Sequence, residues 1–310
     1  MTPLTTAPAL AQTKRDWLLP ATLGMVAAHL TLVTLSVGLR ADHVLLGAVL
    51  IGLGALGTRS ERIRTSTLVL LPFWLTGVAY EAVHLLLPWR GAIHVGDLRA
   101  AELHLFGVTG ADGQLQTLSA ALQTHTHPAL DVLTGAAYIA YLLVPIGLVI
   151  AWVWRRDDAR ASRLAWAFLA VNLVGFATQL LWPAAPPWYV DQYGLGPAVL
   201  DAAPSAAGAA RFDAALGISY FAGFYSRNVN VFGAMPSLHV AYPVLAALAS
   251  YRLGPRWFVP TAAFAALVGF SALYLNHHYL LDVLAGATLA ALVYALVAAL
   301  QRRFVTGGER

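Results

Sequence analysis

The chain alternates long apolar runs with short polar breaks. Predominantly apolar stretches cover about 17–39, 43–57, 66–88, 129–154, 164–183, 235–251, 257–275 and 279–300. A helix needs roughly 20 apolar residues to cross the hydrocarbon of a bilayer, so the pattern predicts about eight spanning helices. The second run is short and the sixth contains Pro243, which leaves their ends soft. Proline is tolerated in membrane helices where neighbouring groups satisfy the freed carbonyl. The first run, Trp17 to Leu39, follows Lys14 and Arg15. It is longer than the ~7–15 residues of a signal-peptide core, lacks a convincing small-residue cleavage site after it, and reads as a retained span. No internal repeat is visible.

Composition supports this reading. Of 310 residues, 59% are hydrophobic and 11% charged, whereas soluble domains carry about 25% charged residues. The net charge of +4 lies in short clusters. These read as topology signals and not as a nucleic-acid surface. There is no cysteine, which excludes disulfides, thiol chemistry and cysteine-rich zinc sites. Lys14 is the single lysine, so a cation needed deeper in the chain must be arginine or histidine. If eight spans alternate, fourteen basic residues fall on one side and five, Arg40, Arg90, Arg99, Arg211 and Arg227, on the other. The positive-inside bias then makes both termini cytoplasmic. Two long connections, about 89–128 and 184–234, and a short turn at Asn276 face the opposite side.

Long connections are uncommon unless they have a task. "GAIHVGDLRAAELHLFG" in the first has near-helical spacing and reads either as an interfacial helix or as a solvated linker. "WPAAPPWYVDQYG" opens the second. Its prolines end the fifth span, and Trp182, Trp188, Tyr189 and Tyr193 are of the types that settle at headgroup depth.

Candidate chemistry gathers in two places. "NVFGAMPSLHVAYP" puts His239 near the start of the sixth span, one turn past Pro236-Ser237. "SALYLNHHYLLDVLAG" puts His278 and Asp282 four residues apart, on one face if the segment is helical. A carboxylate there can fix an imidazole tautomer and serve either a base or a nucleophile. Alternating topology puts both histidines on the same, non-cytoplasmic face. Two helix N-termini there would offer backbone N–H groups to an anion such as a phosphate. His277 reads as a neighbour that shapes the site and Asn276 as a cap. His125 and His127 lack a third ligand for a metal, and Glu81 and His84 read as an interfacial pair.

"MPSLH" and "HHYLLD" resemble two signature motifs of the type 2 phosphatidic acid phosphatase superfamily. Leu238 stands for a glycine of the second motif and Ala272 for an arginine of the third. The first motif is missing: in "QLLWPAAPP", Gln179 stands where the superfamily has lysine and Pro186 where it has arginine. With "APPWY" and "FGAMPSLH", the pattern is similar to the inositol phosphorylceramide synthase (aureobasidin-resistance) branch, over roughly residues 70–300. The resemblance implies that His278 attacks phosphorus to form a phosphohistidine, Asp282 holds its other nitrogen and His239 protonates the leaving alkoxide. It implies no cofactor and no metal. Ser237, Arg227, Gln179, Tyr189 and His277 form the expected substrate-binding set. With the superfamily's lysine and arginine clamp gone, a phosphodiester donor such as phosphatidylinositol, carrying less charge than a monoester, fits better than phosphatidic acid.

The expected fold is all-α and polytopic. A cytoplasmic tail (1–16) and two additional transmembrane helices (17–65) precede a six-helix phosphatase-type catalytic bundle (66–300), and a short tail (301–310) ends the chain. The expected function is a phosphotransferase of a bacterial-type plasma membrane, passing a phosphoalcohol headgroup from a phospholipid donor to a lipid hydroxyl acceptor on the non-cytoplasmic face. A lipid phosphatase using water is the alternative. A channel or transporter would place ionisable residues at mid-span, whereas here most lie at span ends.

Overall fold

The computed structural model describes residues 17–228 and 230–307, with side chains up to Arg303. Among the described residues, seven helices are long and apolar enough to cross a membrane. They are α1 (Leu18–Ser36), α2 (Ala41–Arg59), α3 (Glu61–Leu86), α6 (Pro128–Trp154), α7 (Asp158–Leu181), α12 (Pro255–Tyr274) and α13 (Leu280–Gly307). Their starts follow local chemistry. The Ser60 hydroxyl accepts from the Ile63 amide at α3, and the Asp157 carboxylate accepts from the Arg160 amide at α7. At α6, His127 Nδ1 accepts from the Ala129 amide while Pro128 occupies the first helical position.

The expected sixth span is different. Its helix, α11 (Leu238–Ser250), has only 13 residues. At 1.5 Å per residue it is about 20 Å long, short of the ~30 Å hydrocarbon thickness. Most of its residues are buried, because α6, α7, α12 and α13 surround it. α11 is the central post, and the eight expected spans are seven long helices and this short one. Of the others, α1 and α2 pack on each other and on α3, which joins the rest through α7.

The first long connection folds into α4 (Asp97–Phe106), a two-stranded antiparallel hairpin of β1 (Val108–Thr109) with β2 (Leu115–Gln116), and α5 (Leu118–Gln123). The segment left open between helix and linker is thus a helix, and Leu98 and Glu102, four residues apart, are its buried positions. The second connection carries α8 (Pro187–Tyr193), α9 (Ala210–Leu216) and α10 (Tyr220–Tyr225). Ala184 ties the two connections together by bridging His94 and Gly233. Arg211 locks the second connection down: it donates to Asp131, Gln123 and the Tyr274 carbonyl and lies over the Tyr274 ring.

Candidate active site

The turn between α12 and α13 sets the first half of the site. α12 ends with Asn276 in the left-handed region (φ 60°), a conformation that asparagine tolerates better than most residues. The His277 and His278 amides both donate to the Ala272 carbonyl, at 3.0 and 3.1 Å. His278 therefore precedes α13, and Asp282 is the third residue of the helix. The pair meets across a helix start and not along one helical face, which corrects the simple i, i+4 picture. The Asp282 carboxylate accepts from His278 Nδ1 at 3.3 Å and from the Tyr279 amide at 2.8 Å, with Asp282 fully buried.

The second half is the start of α11. Ser237 precedes the helix and His239 is its second residue. His239 Nδ1 lies 3.2 Å from His278 Nε2. The two halves are stitched through backbone: the Ser237 amide donates to the Asp282 carbonyl at 3.0 Å. A glycine makes this approach feasible, since a β-carbon on Gly286 would collide with the Ser237 carbonyl oxygen. Overpacking of this kind costs about 1–3 kcal/mol and shifts backbone. Gly286→Ala is therefore expected to lower both thermal stability and turnover. Gly269→Ala is the control, because its β-carbon would sit 3.5 Å from a Val283 methyl, an ordinary contact. An equal loss in both variants would rule out the special role of Gly286.

Backbone amides at the two helix starts are not equivalent, contrary to the expectation of two open anion sites. The fully buried Glu102 carboxylate of α4 accepts from the Leu280 and Leu281 amides at 3.0 and 3.1 Å, so the α13 start is already occupied. Burial raises the pKa of Glu102, partly offset by those two amides. At α11, the Leu238, His239 and Val240 amides have no intrahelical acceptor, and no side chain caps the helix.

The histidine pair opens into a cavity of about 490 Å³. Its lining includes polar side chains, Arg40, Asp42, Glu81, Gln179, Arg227, Asn228 and Asn230, and apolar ones, Phe73, Leu142, Ile146, Phe168 and Phe176. Of the expected substrate-binding residues, Arg227 and Gln179 line this cavity, and the Gln179 amide donates to the Pro236 carbonyl at 3.2 Å. Ser237 is buried beneath α11 with its hydroxyl unpartnered. Tyr189 and His277 lie outside the cavity wall. The Tyr189 hydroxyl accepts from the Val199 amide, and its ring packs on Tyr193 and Phe232. His277 is packed between aromatic rings.

Two contributors escaped the sequence reading. Arg40, between α1 and α2, donates to Asp42 and, at 2.8 Å, to Glu81 of α3, and all three line the cavity. Its signal was its place among the five basic residues on the sparse side. Glu102 was hidden in a segment whose fold was open, and only its spacing from Leu98 hinted at burial.

Comparison with known proteins gives the family. The family model described as the PAP2 superfamily matches residues 114–296, which include both histidines and Asp282. The chain is 35% identical over 271 residues to the phosphoinositol dihydroceramide synthase of Bacteroides thetaiotaomicron, covering 86% of this chain and 87% of that protein. It is 34% identical over 208 residues to the inositol phosphorylceramide synthase of Candida albicans, 66% of this chain and 42% of that longer protein. The catalytic subunit of the Schizosaccharomyces pombe inositol phosphorylceramide synthase is 32% identical over 209 residues, 66% of this chain and 47% of that one. No solved structure matches the chain. Its motifs, its family match and its identity to these synthases agree: the chain belongs to the PAP2 superfamily of membrane phosphatases and is related to the inositol phosphorylceramide synthase branch.

Proposed function

We propose that the protein is a membrane lipid phosphotransferase that moves a phosphoalcohol headgroup, phosphoinositol-like, from a phospholipid to the hydroxyl of a second lipid. The observation that carries this reading is the His239–His278–Asp282 chain opening into a cavity lined by polar and apolar side chains. A lipid presents a charged headgroup and an apolar tail, and such a cavity suits both. The relatives' names, which specify phosphoinositol and ceramide, support the same donor and acceptor classes.

Asp282 accepts the Nδ1 proton of His278 and leaves the Nε2 lone pair as nucleophile. Nε2 attacks phosphorus, and the bond from phosphorus to the diacylglycerol oxygen breaks. His239, doubly protonated, gives its Nδ1 proton to that oxygen, so diacylglycerol leaves neutral. An anionic phosphodiester beside it favours that protonated form. The acceptor hydroxyl then attacks phosphorus while His239 takes its proton, the bond from phosphorus to His278 Nε2 breaks, and both imidazoles return to their starting state. Arg227 and Arg40, which line the cavity, and the α11 amides hold the phosphoryl oxygens in this reading. Carboxylates and amides together, Asp42, Glu81, Asn228 and Asn230, suit a polyol, whose hydroxyls both donate and accept.

In this reading α3, α6, α7, α11, α12 and α13 form the catalytic bundle, with α1 and α2 appended and lending Arg40 to its cavity. Both termini are cytoplasmic and the site faces the other side. The test is direct. Purified protein with labelled phosphatidylinositol is expected to yield a new phosphoinositol lipid when ceramide, or a diacylglycerol with acyl chains unlike the donor's, is supplied, identified by mass spectrometry. Release of free inositol phosphate alone, whatever lipid is added, would replace the transferase with the phosphatase.

A further inference from the structure

Four rings from four elements stand face to face beside the histidine pair. Tyr225 of α10 stacks on His277 at 4.5 Å between ring centroids and 16° between planes. His277 stacks on Tyr138 of α6 at 5.4 Å and 10°. Tyr138 stacks on His239 at 4.5 Å and 15°. Tyr141, also of α6, covers His239 at 4.6 Å, tilted by 46°. Tyr225, His277 and Tyr138 are all buried.

The column matters because of what His239 must give up. Its described hydrogen bond is the one to His278 Nε2. A phosphorus atom approaching that same nitrogen takes the bond away, just when the imidazole must aim its proton at the leaving oxygen. From then on, the ring faces carry its orientation. We propose that His277 and Tyr138 are positioning residues, plates of an aromatic column that holds the His239 imidazole in line for proton transfer. This rests on His239 being the proton donor of the reaction proposed above.

The chemistry of the column is that of neutral faces. Burial, followed by the charge of nearby His278, lowers His277 to a pKa of about 3. The ring is thus an uncharged plate at ordinary pH; a phenyl ring keeps its face and gives up only its hydrogen bond to the Ala206 backbone. Stacked pairs contribute beyond their buried area, and the expected loss on removing one plate is about tenfold in turnover.

The experiment compares His277→Phe with His277→Ala, and Tyr138→Phe with Tyr138→Leu. Each is assayed on a phospholipid, whose alkoxide leaving group needs a proton, and on a nitrophenyl phosphodiester, whose leaving group does not. Thermal unfolding of each variant and His239→Ala run alongside. The phenylalanine variants are expected to match the wild type on both esters. His277→Ala and Tyr138→Leu are expected to lose about tenfold on the phospholipid and little on the aryl ester, a milder copy of the His239→Ala pattern. A general loss of structure would lower both activities together and would overturn the proposal. Equal damage from His277→Phe and His277→Ala would also overturn it, since the imidazole itself would then be needed. If His239→Ala shows the leaving-group difference and the plate variants do not, the column fails and the acid assignment survives. If His239→Ala loses equally on both esters, the acid assignment fails and the column with it.

Discussion

His278→Ala is expected to abolish turnover of every donor, and His239→Ala is expected to lose activity selectively. The first variant removes the nucleophile, so no phosphoenzyme forms whatever the leaving group. The second keeps the nucleophile and its Asp282 partner and removes the proton. A lipid alkoxide is a poor leaving group and needs that proton; nitrophenolate leaves without it. General acid catalysis contributes roughly 10²–10⁴-fold, and a loss of that order is expected on phospholipid, shrinking on the aryl ester. The measurement is turnover of both substrates by both variants at matched folded protein. Acid-labile, base-stable labelling of the protein is expected in His239→Ala with the aryl donor and in no preparation of His278→Ala. Equal proportional losses on both substrates would assign the roles wrongly even if the site is right.

Substituting the cavity arginines is expected to have the next largest effect. Arg227→Ala removes a cation from the cavity wall that holds both histidines, and kcat/KM for a phospholipid donor is expected to fall about 10–100-fold, the loss of one charge-assisted hydrogen bond. Arg40→Ala is expected to act in the same direction and more weakly, because Arg40 already shares its charge with Asp42 and Glu81. Arg211→Ala is expected to behave otherwise. Its guanidinium is committed to Asp131, which is buried, so its removal strands a carboxylate and lowers the thermal midpoint. Unchanged donor kinetics in both Arg227→Ala and Arg40→Ala would leave phosphate binding to the histidines and the α11 amides alone.

The contrast between Arg211 and Arg227 shows where a linear reading stops. Both lie in the same long connection and on the same expected face, and only the nearness of Arg227 to the histidine motif in sequence sets them apart. Which one meets Asp131 and which one meets the cavity depends on how α9 and α10 settle on α6. Arg40 makes the same point from farther away. Nearly 200 residues separate it from His239, and only the packing of α1 and α2 on α3 brings it to the same cavity wall.

Much was nonetheless written in the chain. Seven long apolar helices follow from runs of about 20 residues, because hydrocarbon admits no unpaired backbone and the helix satisfies its own. His239, His278 and Asp282 stand out because ionisable groups within spanning segments are costly to retain without use. Their motifs led to the family before any coordinates did. The central helix is shorter than its apolar run predicts: hydropathy measures the absence of charge and cannot tell lipid from protein as the apolar neighbour, and α11 is mostly buried among other helices. The helix start at α13 was misjudged as open, because its cap comes from Glu102, 178 residues away from Leu280, and no local pattern announces it. Local sequence determined what forms within one helix or one turn, where interactions span a few residues. Tertiary structure alone decided which charges are spent on holding the fold and which face the cavity, because that depends on contacts between elements far apart in the chain.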